Sequence, residues 1–382
     1  MTLHRFAFPT PIVFGAGARR EIAKHLLAAG VKRPLVVTDE GLAKLPVLAQ
    51  LTDELGGLEV AVFSGLRGNP TGSQVAAGAE AFRAHRADAV IGFGGGAALD
   101  VAKVVAVMAV HAGSVLEYAW DHPQVRPIDK ELPYFIAVPT TSGTGSEVGR
   151  SSVISDDETH LKKIVFHAKL LAKAVFADPE LTLDLPPSVT ASTGMDALTH
   201  NVESYLSPDY HPMCDAIALE GTRLAARSLA LAVREPKNLA ARSDMMMSSL
   251  MGAVAFQKDL GATHSCAHAL STVIDLHHGL ANGIMIDHVM RFNKPVATEK
   301  MAELAHVVGV AKGDAGESAG AFIDWLGQLK RELGLPTGLR AVGIEEKHLD
   351  ALVKVAVADI CHHTNPRKVS ADDFRHLFTA AL

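Results

Sequence analysis

The chain has 382 residues and a formal charge of −6, with 48% hydrophobic and 20% charged residues, ordinary values for a globular protein of about two domains. Only 5% of residues are aromatic and no Lys/Arg cluster occurs, which argues against a nucleic-acid platform. Three scattered cysteines (Cys214, Cys266, Cys361), no run near the ~20 apolar residues of a membrane span, and no leader pattern in MTLHRFAFPTPIVFGAGA lead us to expect a cytoplasmic protein without membrane or nucleic-acid partners.

The first half alternates two periodicities. RPLVVTDEG (33–41) reads as a buried strand, and LEVAVFSG (58–65), DAVIGFGGG (88–96) and PYFIAVPTT (133–141) read as three further strands. SQVAAGAEAFRAHRA (73–87) and ALDVAKVVAVMAVHA (98–112) read as helices. Continuously apolar strands alternating with helices predict a parallel sheet covered on both faces. After DPELTLDLPPSVTAS (178–192) the strand signal stops, and long Ala/Leu/Met-rich helical patterns follow, such as 214–233 and 241–256. The expected architecture is an α/β Rossmann-like dinucleotide-binding domain, 1–185, followed by an all-α metal-binding domain, 186–382. A cleft between two such domains commonly takes a ligand.

GFGGGAALDVAK (92–103) leaves a strand and opens a helix. Successive glycines let backbone N–H groups approach a phosphate, and the helix N-terminus adds about half a positive charge. The alternative is a plain tight turn. An ordinary Rossmann loop follows the first strand, with an acid about 20 residues later; here it follows the third predicted strand, and the better-placed acid, Asp39, lies upstream at the end of PLVVTD. Asp39 can take ribose hydroxyls, favouring NAD over NADP, or cap a helix. PTTSGTGSE (139–147) is a second Gly/Ser/Thr loop at a strand end.

Of 19 histidines, five (His264, His268, His277, His278, His288) fall within 264–288. A lone helical histidine is usually structural, but here the side chains cluster. His264 and His268 are spaced i,i+4, as are Asp196 and His200 in GMDALTH (194–200), so each pair shares a helical face. One carboxylate and three imidazoles suit a divalent transition metal, iron or zinc. A nucleotide loop plus a buried metal site points to hydride transfer from an alcohol, with the metal as Lewis acid.

These motifs resemble the iron-containing (group III) alcohol dehydrogenases over nearly the whole chain: VVTDEGL, NPT (69–71), GFGGGAALDVAK, AVPTTSGTGSE, DPELT, TGMDALTHNVESY, GATHSCAHAL, HHGLANGIMIDHVMRFN and CHHTNPR. The resemblance implies a dehydroquinate-synthase-like fold, NAD, Fe²⁺ with Zn²⁺ as the alternative, a small-molecule alcohol or aldehyde, and a homodimer or larger assembly. Its metal ligands match Asp196, His200, His264 and His278, with His268 near the nicotinamide in a proton relay and His277 the lesser candidate of its pair. Its cofactor positions match Gly95, Gly96 and Asp100 at pyrophosphate and ribose, Asn69 and Asp39 on the adenosine side, Thr140, Thr141 and Thr144 toward the phosphates and nicotinamide, and Lys162. Two positions depart from it: Ala97 replaces the usual Ser after the glycines, removing a phosphate hydrogen bond, and Gly149 replaces Thr or Ala, leaving room near the substrate. The intact metal ligands separate the chain from the maleylacetate-reductase-like branch.

AFQKDLGATHS, LHHG, GLPTGL and CHHTNP most resemble the 4-hydroxybutyrate dehydrogenase branch. A carboxylate substrate needs a cation, and Arg150 and Lys258 are the candidates. Against this, Arg150 also occurs in relatives acting on neutral diols, and Lys258 can be read as a solvated charge. Cys361 matches a substrate-pocket position or a small buried residue. Short-chain alcohols or propanediols are the alternative substrates. Two other classes compete: a metal- and NAD-using lyase of the dehydroquinate-synthase type, and a non-catalytic metal- or nucleotide-binding protein.

Overall fold

A computed structural model describes residue 8 and residues 10–382. Residues 1–7 and Pro9, part of the stretch read for a leader, lie outside the described residues. Eight strands are present among the described residues: β1 (Ile12–Phe14), β2 (Pro34–Asp39), β3 (Ala61–Leu66), β4 (Ala89–Gly94), β5 (Tyr134–Pro139), β6 (Ser151–Ser155), β7 (Lys162–Phe166) and β8 (Ala174–Ala177). Six form a parallel sheet in the order β1-β8-β5-β4-β2-β3, while β6 and β7 pair separately as an antiparallel hairpin.

Burial follows position in the sheet. Every residue of β4 and β8 is buried, whereas the edge strands β1 and β3 are partly exposed. Continuous apolar runs therefore mark the centre of the sheet, because both faces are covered there. The four predicted strands correspond to β2–β5. The other four carried weaker signals: β1 has three residues, β8 has four, and β6–β7 is a short polar hairpin.

The chain divides into two compact units: residues 10–141 with Gly145–Thr182, and Ser142–Thr144 with Leu183–Leu382. The second is helical, with Pro187–Leu206, Pro212–Arg234, Leu239–Ala255, Ala262–Ile274 and His278–Val307 as its first long helices. Ser142–Thr144 groups with it because Gly143 packs on Thr193, where an added Cβ would stand 2.9 Å from the Thr193 Cβ. Its core is built from Met195, Leu198 and Val202 of one helix and Ile284, Met285 and Val289 of another. No helix among the described residues is long and apolar enough to cross a membrane.

Candidate active site

In the α/β unit, three neighbouring strand ends meet. The register pairs Val37 with Gly92 and Gly94 with Pro139, which puts Asp39, Gly94–Gly95 and Thr140–Thr141 along one edge. Thr140 N donates to the Gly94 carbonyl at 3.0 Å. Gly94 has φ +148, and a Cβ there would lie 2.7 Å from the Ala98 Cβ, so only glycine fits between strand and helix. The helix Gly96–Val110 starts at once, with no side chain capping its N-terminus. A cavity of about 410 Å³ opens here, lined by Asp39, Gly41, Arg67, Gly95 and Ala97 among others. Free helix N–H groups, a glycine approach and an acid beside them fit a dinucleotide. One Asp39 oxygen already accepts from Leu42 N at 2.8 Å, so Asp39 joins the turn that follows β2 and faces the cavity as well.

Two expected contacts take a different form. Asp100 is committed within the protein: Oδ1 accepts from Ser146 Oγ at 2.5 Å and Oδ2 from Val153 N at 2.9 Å. The Lys103 ammonium lies 3.6 Å away. Asp100 thus fastens the Ser146 turn and β6 to the glycine-loop helix rather than offering a free carboxylate to ribose. Lys258 is likewise not a spare cation, because its buried ammonium is paired with Asp215. Arg150 sits with its guanidinium 5.5 Å from the Phe166 ring centre. Asn69 is exposed after β3, Lys162 opens β7 and Thr144 belongs to the loop segment grouped with the helical unit.

The helical unit brings the four expected ligands together. Asp196 and His200 lie one turn apart on Pro187–Leu206, a helix buried along almost its entire length. Nε2 of His278, His264 and His200 stand 3.4, 3.8 and 3.9 Å from Asp196 Oδ1. A tetrahedral site with ~2.1 Å bonds separates neighbouring ligand atoms by about 3.4 Å, close to these spacings from Asp196; the donor atoms of Asp196, His200 and His264 all lie within 4.8 Å of one another, and His278 joins them through Asp196. His278 reaches Asp196 because Gly279 follows it: a Cβ at 279 would stand 2.2 Å from the Ser192 carbonyl. His277 is exposed.

Electrostatics point the same way. Burial alone would raise the Asp196 carboxyl, but the His200, His278 and His264 imidazoles outweigh it and hold it well below the carboxylate range. Burial pushes His200 down to about 4 and His278 down to about 3, against the pull of Asp196. The site therefore holds an ionised carboxylate beside imidazoles kept neutral, the forms that bind a metal. Nδ1 of His278 is buried without a hydrogen-bond partner.

Three further residues escaped the sequence reading. Glu203, one turn beyond His200, accepts from His264 Nδ1 at 2.7 Å, and from Thr263 N and Gly261 N at 2.7 and 3.0 Å. It orients the His264 ring and caps the helix Ala262–Ile274, which has no cap of its own. Its i,i+3 spacing from His200 was the available signal. Asn282 Nδ2 donates to Asp196 Oδ1 at 2.8 Å and lies 3.2 Å from His278 Nε2. Asp359 Oδ2 accepts from His268 Nδ1 at 2.7 Å.

Comparison with known proteins names this arrangement. The model for the iron-containing alcohol dehydrogenases matches residues 9–179, and that for the C-terminal part of the Fe-containing alcohol dehydrogenase family matches 190–382. The chain belongs to the iron-containing alcohol dehydrogenase family. It is an oxidoreductase acting on alcohols. It is 40% identical to a 4-hydroxybutyrate dehydrogenase of Cupriavidus necator, covering 92% of this chain and 93% of the relative. A solved 1,3-propanediol oxidoreductase superposes with a TM-score of 0.95 at 34% identity over 100% of both chains. The sulfoacetaldehyde reductase of Bifidobacterium kashiwanohense, in complex with NAD⁺, gives 0.89 at 30% identity over 100% of this chain and 99% of that one.

Proposed function

We propose that this enzyme interconverts a small primary alcohol bearing an anionic end and its aldehyde, 4-hydroxybutyrate and succinate semialdehyde being the leading pair, with NAD and a divalent iron. The observation that carries the reaction class is the convergence of the His200, His264 and His278 imidazoles on the one buried carboxylate of Asp196. When bound, the metal would supply Lewis acidity toward the alcohol oxygen, and NAD the hydride acceptor. Asp196, His200, His264 and His278 would hold the one, and Asp39, Gly95, Gly96, Thr140 and Thr141 the other, with Asn69, Thr144 and Lys162 as further cofactor positions. Asp39 disfavours NADP through repulsion of a 2′-phosphate. His268 would take up the proton of the substrate hydroxyl and pass it on to solvent. Arg150 receives the substrate's anionic end, and Cys361 lines the pocket. We further read the enzyme as a cytoplasmic homodimer or larger assembly.

The substrate rests on the 40% relative and on that named for sulfoacetaldehyde, also an anionic aldehyde. A second reading, 1,3-propanediol, is favoured by the structural neighbour named for it. A panel of 4-hydroxybutyrate, 1,3-propanediol and ethanol, with NAD or NADP, after loading with Fe²⁺ or Zn²⁺, separates them. The expected result is the highest kcat/KM for 4-hydroxybutyrate with NAD and Fe²⁺. A faster diol overturns the anionic substrate, and product without net NADH overturns the dehydrogenase in favour of a lyase.

A further inference from the structure

We propose that Asp359 is the positioning residue for His268, fixing its ring and its tautomer. The idea rests on the reading of His268 as the proton-handling group. The two residues lie on separate elements. His268 belongs to the helix Ala262–Ile274, and Asp359 follows the helix Leu349–Ala358 as its C-cap.

The two carboxylate oxygens have divided tasks. Oδ1 accepts from Ser265 Oγ at 2.7 Å and from Cys361 N at 2.9 Å. Ser265 Oγ in turn accepts from His362 N at 3.0 Å. Oδ1 is therefore fixed from two directions, and Oδ2 is left for His268 Nδ1 at 2.7 Å. An ionised carboxylate only accepts, so Nδ1 of His268 must carry the hydrogen. Neutral His268 then has its lone pair at Nε2, and that atom alone can take a proton. The ring lies nearly parallel to that of ligand His278, with 5.1 Å between centres.

Local structure gives Asp359 little reason to be acidic. A carboxylate at a helix C-terminus faces the negative end of the helix dipole. Burial also opposes its charge, yet the bonds from His268, Ser265 and Cys361 hold its carboxyl well below the usual range. The unfavourable placement is explained if the charge serves His268.

The experiment compares Asp359→Ala, Asp359→Asn and Asp359→Glu, alone and on a His268→Gln background. Each variant is assayed for kcat, KM, bound metal and thermal midpoint. A positioned acid–base group is worth about 100-fold or more. Asp359→Ala and Asp359→Asn are expected to lower kcat about 100-fold, with KM and metal content within about threefold. Asn fails because its amide can donate to Nδ1 and impose the wrong tautomer. Glu is expected to restore at least about a tenth of the activity, and on the His268→Gln background Asp359→Ala should cost less than about twofold. Equal losses on both backgrounds, a loss confined to KM or to metal content, or a kcat within about threefold overturn the proposal. If His268→Gln itself keeps full kcat, the reading of His268 fails first. If Ala unfolds, the nearly isosteric Asn variant gives the decision.

Discussion

Glu203 Oε2 lies 2.7 Å from His264 Nδ1, joining two helices through residues 61 positions apart. Burial by itself would raise Glu203, but the His264 and Thr263 hydrogen bonds hold it below the carboxylate range. It is therefore charged, and it fixes the His264 tautomer with Nε2 toward Asp196. Removing such a partner typically costs 10–100-fold in metal affinity. We expect Glu203→Gln to weaken metal binding by about that factor, measured by competition with a chelator. Unchanged affinity would leave Glu203 as a helix cap only.

Gly279 sets the approach of the His278 helix to the Asp196 helix. Its Cβ position lies 2.2 Å from backbone oxygen and 3.2 Å from the Asp196 Cβ, and backbone cannot swing aside as a side chain can. Gly279→Ala is expected to cost about 1–3 kcal/mol by overpacking and to reduce bound metal. Denaturant melts and metal analysis check this. A variant with wild-type stability and metal content would mean that the helices separate at no cost.

With Lys258 paired to Asp215, Arg150 is the remaining candidate for an anionic substrate. A hydrogen bond to a charged group is worth about 1.5–3 kcal/mol. Arg150→Ala should therefore lower kcat/KM for succinate semialdehyde at least about tenfold and spare a neutral short aldehyde. If the two fall together or neither falls, Arg150 does not read the anion.

Glu147 in the PTTSGTGSE loop is buried, and its Oε1 has no partner. Burial pushes its carboxyl up to about 7, with Lys103 offsetting only part of the effect. The folded chain thus keeps a proton that the unfolded chain releases at about 4.5, so the stability contribution is complete below that pH and is lost as pH rises through about 7. Glu147→Gln should match the wild-type thermal midpoint near pH 4.5 and exceed it at pH 8. A difference that does not change with pH would place the Glu147 charge outside the folding balance.

The proposed metal ligands were legible in part because helical spacing is local. Asp196 with His200 and His264 with His268 each announce a shared face, whereas His278 was singled out from its neighbour His277 only by the family resemblance. The glycine loop was legible for the same reason, since strand, turn and helix follow one another in the chain. The four shorter strands were not, because three to five residues in a short strand or a hairpin carry little pattern.

Sequence by itself therefore determined the α/β-then-helical order and the strand–glycine–helix turn, which depend on residues near one another in the chain, while the proposed metal donors came from helical spacing joined to the family resemblance. Tertiary structure alone decided what each charge does. Asp100 bonds to Ser146 and Val153, 46 and 53 residues on. Lys258 is taken by Asp215, 43 residues away, and Asp359 meets His268 across 91. A buried charge is governed by the partner that folding brings to it, and no periodicity in the chain records that partner.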